Sequence, residues 1–288
     1  MRTFYYVHTG HRIGLDRFRR ATTILRALGD DSITLLTSDF RIAHISREYG
    51  VNDCVGLDVV RNIPQIAHHG DKLIFDSDEA NPLMLEDMRQ FFSTFIRVSD
   101  ASNDKNEKNE FLISPYLQGE NICNAYAIDD KYFGTFEKKT KLTFFFGDDD
   151  YEKDLEKNLS FLENLDSSLQ LGFYYFLDYE EMLKKNFKNY FEFEEYDEMI
   201  TSTQILVTSS PQATLENLAS GGTPIYVQRE DYTNNFVELF KNLNIPIIHN
   251  YDKEKLNHII KNIDTISYTT PTKMGHFIAD FIKEKLNS

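Results

Sequence analysis

Short apolar runs of strand length alternate along this chain with amphipathic helical segments, and that alternation constrains its fold more than any other feature. Strands buried on both faces of a sheet read as near-continuous apolar runs, and parallel strands need a crossover, usually helical, between them. TFYYVH (3–8) reads as the first strand and LDRFRRATTILRAL (15–28) as the helix after it. SITLLTS (32–38), CVGLD (54–58), KLIFDSD (72–78) and FIRVSD (95–100) read as further strands, with a short helix at 41–50 and another starting near Pro82. The polar stretch ASNDKNEKN (101–109) reads as a surface loop, and weakly patterned sequence runs on to about residue 138. The pattern then restarts with KLTFFFG (141–147), and strands are expected at 169–177, 205–210, 223–228 and 245–248. Helices are expected at 151–165, 195–203, 213–220, 232–243, 253–262 and 273–286. The expected fold class is therefore α/β, with two Rossmann-like domains facing across a cleft and ligands at the carboxyl ends of the strands. The domains expected are 1–133 and 134–288, the last helix crossing back to brace the first.

Composition narrows the function classes. With 41% apolar and 27% charged residues among 288, the chain can build packed cores under a wet surface. No run of about 18 apolar residues occurs, and the opening residues lack a basic-then-apolar leader profile, so a cytoplasmic protein is expected. Two cysteines without CxxC spacing predict neither a disulfide framework nor a zinc site. A net charge of −15 argues against nucleic acid as a partner. Arginines nevertheless crowd the first fifty residues, among them Arg12, Arg17, Arg19, Arg20 and Arg26. A solvated helix face is the plain reading; an anionic ligand or the inner-membrane surface in front of the first helix is the sharper one.

The most specific segment is VTSSPQATLENLASGGTPIYVQ (207–228). A strand ends in Thr208, Ser209 and Ser210, and a helix follows at once, where free backbone N–H groups and serine hydroxyls make an anion site. Glu216, one turn further, can accept two hydrogen bonds from vicinal ribose hydroxyls. The ordinary alternative is that Ser209 caps the helix and Glu216 faces water.

The order Ser-Ser, Thr214, Glu216, Gly221 and Pro224 resembles the nucleotide-binding motif of GT-B glycosyltransferases, especially the MurG-like family-28 type. That resemblance implies Ser209 and Ser210 at a diphosphate, Glu216 at the ribose, Asn234 or Asn235, in the loop after Asp231, at the sugar, and Thr214 among the binding residues. The layout is also similar to the UDP-sugar hydrolases of the pseudaminic acid pathway, which open with a strand, a polar loop, Gly-x-Gly-His and a helix near a basic pair. Here Gly14 stands for the first glycine, Asp16 for the second and Arg17 for the histidine, with Arg19 and Arg20 as the basic pair. An arginine stays charged and cannot act as a general base, so either the hydrolase chemistry is lost or another residue supplies the base. His11, Asp16 and His8 are candidates at that junction, histidine being a residue type suited to general-base work. Asp16 serves equally well as a helix N-cap, and His11 as a surface loop residue.

Two acidic runs stay open. Gly147-Asp148-Asp149-Asp150 stands where the resemblance places a glycine turn approaching the phosphates. Its carboxylates either cap the next helix or hold Mg²⁺. Asp76, ending the strand before Ser77, Asp78 and Glu79, is a candidate base or acceptor-orienting residue, helix capping being the alternative. The function expected is a glycosyltransferase of bacterial surface-glycan synthesis. It would cleave the anomeric bond of a UDP-linked sugar donor and pass the sugar to a glycan or small-molecule acceptor, with no other cofactor. A UDP-sugar hydrolase with an altered base and a non-catalytic nucleotide-sugar binder are the alternatives.

Overall fold

A computed structural model describes residues 1–287. They form two compact units. The first takes in Met1–Gly10, Arg17–Ala127 and the segment from Lys273, and the second takes in His11–Asp16 and Ile128–Thr272.

The first unit runs β1 (Thr3–Val7), α1 (Asp16–Leu28), β2 (Ile33–Thr37), α2 (Phe40–Ile45), β3 (Cys54–Gly56), α3 (Ile63–Ile66), β4 (Lys72–Asp76), α4 (Pro82–Phe91), β5 (Thr94–Val98), β6 (Phe111–Ser114) and β7 (Ile122–Asn124). Its seven strands are all parallel, in the order β3-β2-β1-β4-β5-β6-β7. Phe4, Tyr6, Leu36, Phe75 and Phe95 fill the core under one face of this sheet. Each such side chain contributes roughly 1.5–3 kcal/mol by leaving water. Local signals set the helix ends: Asn81 caps α4 by accepting from the Met84 N–H at 2.9 Å, and Pro82 takes the first turn, where no N–H is needed.

The second unit runs β8 (Thr140–Phe145), α5 (Asp154–Lys157), β9 (Ser168–Gln170), α6 (Leu177–Lys184), β10 (Tyr190–Phe191), α7 (Tyr196–Ser202), β11 (Thr203–Thr208), α8 (Pro211–Ala219), β12 (Ile225–Gln228), α9 (Val237–Asn242), β13 (Ile247–His249) and α10 (Lys253–Lys261). Its six parallel strands lie in the order β10-β9-β8-β11-β12-β13. The last helix, α11 (Gly275–Asn287), belongs to the first unit, where Phe281 meets Phe111 edge-on at 6.4 Å.

In both sheets the strand order reverses beside the first strand of the unit. Val7 pairs with Asp76 across β1 and β4, and Phe145 with Thr208 across β8 and β11. Loops leaving such a pair diverge to opposite faces and open a crevice, which is where α/β sheets bind ligands.

Four expectations from sequence need correction. The strand expected at 169–177 stops at Gln170, because 171–176 turn away as a loop whose Tyr174 N–H donates to the Asp148 carbonyl at 2.8 Å. The helix expected at 151–165 is only α5 and a 3₁₀ turn at Leu159–Leu162, broken at Asn158, whose side-chain amide donates to the Asp154 carbonyl. The weakly patterned stretch holds β6 and β7. The arginines of α1 do not form an outward basic face: Arg19 and Arg20 are buried, Arg17 pairs with Asp78 at 2.9 Å, and Arg26 donates to the Tyr49 carbonyl. No described helix is long and apolar enough to cross a membrane.

Candidate functional site

In the second unit, the loops leaving β8 and β11 enclose a recess with the segment Arg12–Asp16 and with Arg229 and Tyr232, which follow β12. Gly147 turns the chain out of β8 with φ 133°, a conformation side chains rarely adopt, and an added Cβ would touch nothing within 4 Å. Gly14 takes φ 78° facing it, its would-be Cβ 3.9 Å from that of Asp148. Gly147→Ala should therefore cost about 1–3 kcal/mol through backbone strain alone, with no steric clash. Urea unfolding of the variant reads that cost directly.

Two neighbouring serines have separate fates. Ser210 is the N-cap of α8: its hydroxyl accepts from the Ala213 N–H at 3.0 Å and donates to Asp16 Oδ1 at 2.6 Å. Ser209, facing the recess, is 4% exposed, and its hydroxyl has no hydrogen-bond partner among the described residues. A buried hydroxyl without a partner costs about 1–3 kcal/mol. The cap belongs to Ser210, and Ser209 is the open donor.

The three aspartates diverge. Asp150 caps α5, accepting from the N–H groups of Asp154 and Leu155 at 2.7 and 2.9 Å and from the Tyr179 hydroxyl. Burial raises its pKa above the usual carboxylate value despite these bonds. Asp149 accepts from the Tyr151 N–H at 3.1 Å and meets His11 Nδ1 at 3.0 Å. Asp148 is buried in the recess wall. No group of three or more metal-ligating side chains converges among the described residues. A largely buried positive charge here is Arg229. Its guanidinium lies 4.3 Å over the Phe146 ring, donates to the Asp149 carbonyl at 3.3 Å and grips Asp231 at 2.9 and 2.5 Å. Burial works against its charge, but Asp231 more than offsets that and the pKa rises.

His11 stands beside the recess. Its ring stacks on Phe176 at 5.5 Å, and with Nδ1 held by Asp149, Nε2 is left without a hydrogen bond among the described residues. A histidine oriented this way can take a proton at Nε2.

Other expected residues lie elsewhere. Glu216 is 1% exposed and outside the recess, its oxygens taken by the Tyr196 hydroxyl at 2.7 Å and the Gln212 amide at 2.8 Å. It therefore braces α7 against α8 and presents no free oxygen to a ribose. Thr214 is buried, its hydroxyl donating to the Ser210 carbonyl at 2.8 Å. Asn234 and Asn235 sit in the loop before α9 and do not line the recess.

In the first unit, Asp76 is fully buried, held by Arg20 at 2.9 and 2.5 Å and by the Tyr5 hydroxyl at 3.2 Å. Burial raises its pKa, opposed by Arg20. It has no open face in this structure, and its oxygens are taken up by framework partners rather than turned toward a recess. The outward carboxylate is Asp78, 2.9 Å from His8 Nδ1 and from Arg17. The hydrogen bond from His8, then the charge of Arg17, hold it well below the usual range. Arg17 is thus an ion-pair partner. Sequence reasoning missed Arg229, whose only signal was a lone basic residue just past a strand end.

No protein-family model matches the chain, and no curated protein matches it in sequence. Solved structures do match in fold. HepE from Anabaena, in complex with UDP-glucose, superposes with a TM-score of 0.62 at 11% identity, covering 100% of this chain and 98% of that one. UDP-GlcNAc 2-epimerase from Methanocaldococcus jannaschii, in complex with UDP-GlcNAc and UDP, gives 0.61 at 12%, covering 99% and 100%. The spinosyn forosaminyltransferase SpnP gives 0.56 at 11%, covering 100% and 95%. The shared architecture is the GT-B type, two parallel α/β sheets with helices.

Proposed function

We propose that the chain is a glycosyltransferase that holds a UDP-linked sugar by its diphosphate in the second unit's recess and breaks the bond between the anomeric carbon and that diphosphate. The observation that carries this reading is the buried, partnerless Ser209 hydroxyl in the same recess as the Arg229 guanidinium, at the point where β8 and β11 part. The similarity in fold to proteins solved with UDP, UDP-glucose and UDP-GlcNAc supports the choice of nucleotide. Ser209 and Arg229 would stabilise the charge that builds on the departing diphosphate. His11, oriented by Asp149, would take the proton of the attacking hydroxyl at Nε2. The nucleophile's oxygen bonds to the anomeric carbon while the diphosphate leaves with the electron pair. The same dyad serves water equally well, and hydrolysis is the second reading.

Ser209→Ala separates binding from folding. Removing a partnerless buried hydroxyl should leave thermal stability unchanged or slightly higher, while UDP affinity should fall about tenfold, roughly 1.4 kcal/mol. Chromatography of UDP-glucose and UDP-GlcNAc incubated with the chain reads the reaction itself. UDP release only with added glycan acceptor supports transfer, release with free sugar supports hydrolysis, and intact donor in every incubation contradicts the enzyme reading.

A further inference from the structure

Beside the recess, two aromatic rings that water still reaches stand at a corner. Tyr151, from the loop after β8, is 45% exposed and Phe176, just before α6, is 50% exposed. Their centroids are 6.1 Å apart with planes at 61°, and His11 packs against both as the third corner of a triangle, 5.8 Å from Tyr151 and stacked on Phe176 at 5.5 Å. Tyr174 closes the third side at 5.1 Å from His11. The two rings lie together rather than singly, and clustered exposed apolar surface is the kind that marks binding sites. The corner also has a polar edge: Nε2 of His11 and the guanidinium of Arg12, which lies 4.7 Å over Tyr151 and pairs with Glu152. Arg12 holds a left-handed backbone, φ 68°, a strained state that recurs at ligand clamps.

Apolar ring faces meeting directed hydrogen-bond groups suit a partner with an apolar face and a polar rim. A sugar ring is such a molecule, with C–H bonds on its faces and hydroxyls at its edge. The corner is continuous with the recess, because Arg12 and Asp149 contribute to both. We infer that Tyr151 and Phe176 form the subsite for the glycosyl ring of the donor, adjoining the site of its diphosphate. The assignment rests on the proposed function, since it places the sugar next to the phosphates. It also puts the ring's edge against Nε2 of His11.

Calorimetric titration of the full chain with UDP, UDP-glucose and UDP-GlcNAc tests it on Tyr151→Ala, Phe176→Ala and the conservative Phe176→Tyr. Both alanine variants should bind the UDP-sugars about tenfold more weakly, consistent with loss of one aromatic contact, and bind UDP within twofold of the native chain. Phe176→Tyr should keep native affinity for all three ligands. Native UDP binding with no sugar-specific loss in the alanine variants overturns the ring subsite and leaves the diphosphate site standing. Failure of the native chain to bind any of the three overturns both.

Discussion

Arg229→Gln should weaken UDP binding about a hundredfold while the chain stays folded. A charge-assisted hydrogen bond to a phosphate contributes roughly 1.5–3 kcal/mol, and a hundredfold corresponds to about 2.7 kcal/mol. Arg229 is suited to that role because its guanidinium is already desolvated over Phe146 and fixed by the Asp149 carbonyl, so little ordering is left to do on binding. It also stands beside three buried aspartates that would otherwise repel a diphosphate. Asp231→Asn is the control. That carboxylate is half exposed and does not itself line the recess, so this variant should lose no more than a few-fold. Calorimetry at fixed ionic strength, with a melting curve for each variant, makes the comparison. Equal losses for the two variants, or none for Arg229→Gln, would remove Arg229 from the site.

A second large effect concerns stability. Arg20→Leu should destabilise the first unit by about 3–5 kcal/mol, because it leaves the fully buried Asp76 without its bidentate partner and Asp100 without its 2.5 Å ion pair. Against a total of roughly 5–15 kcal/mol for a typical domain, that is most of the margin. The double variant Arg20→Leu with Asp76→Leu should recover much of the loss, since exchanging a buried pair for apolar residues is often neutral. The recovery keeps the test readable even if the single variant does not fold. Urea unfolding of both reads the result. A cost below about 1 kcal/mol for Arg20→Leu would show that Asp76 is not held as a framework ion, and would reopen a chemical role for it.

How much the sequence disclosed follows from which physical signals are local. The long apolar runs at β1, β4, β8 and β11 were readable because strands buried on both faces need them, and the alternation with helices then dictated two parallel sheets. The short strands β6 and β7 were not, since three or four residues carry no measurable period. The aromatic run at 171–176 looked like a strand because burial, not extension, is what its apolar residues report. Gly172 there lies so close to the chain that a Cβ would come within 2.6 Å of the Gly147 carbonyl oxygen. At the site, the Ser-Ser-Pro sequence located the strand-to-helix turn but could not say which serine caps the helix. That depends on which hydroxyl faces the Ala213 N–H. The partner of His11 was equally hidden, because Asp149 lies 138 residues away in sequence. Glu216 matched the expected spacing, yet Tyr196 and Gln212 enclose it, and nothing in residues 207–228 announces Tyr196.

Titration calorimetry of the native chain with UDP and, separately, with uridine shows whether the second unit's recess holds a diphosphate. The two ligands share the base and the ribose, so any difference belongs to the phosphates that Ser209 and Arg229 would meet. UDP should bind saturably at one equivalent, with uridine weaker by about a hundredfold or more, as expected for the loss of charge-assisted bonds. Equal affinity for the two, or no saturable binding of UDP up to millimolar concentration, would mean that the recess is not a diphosphate site.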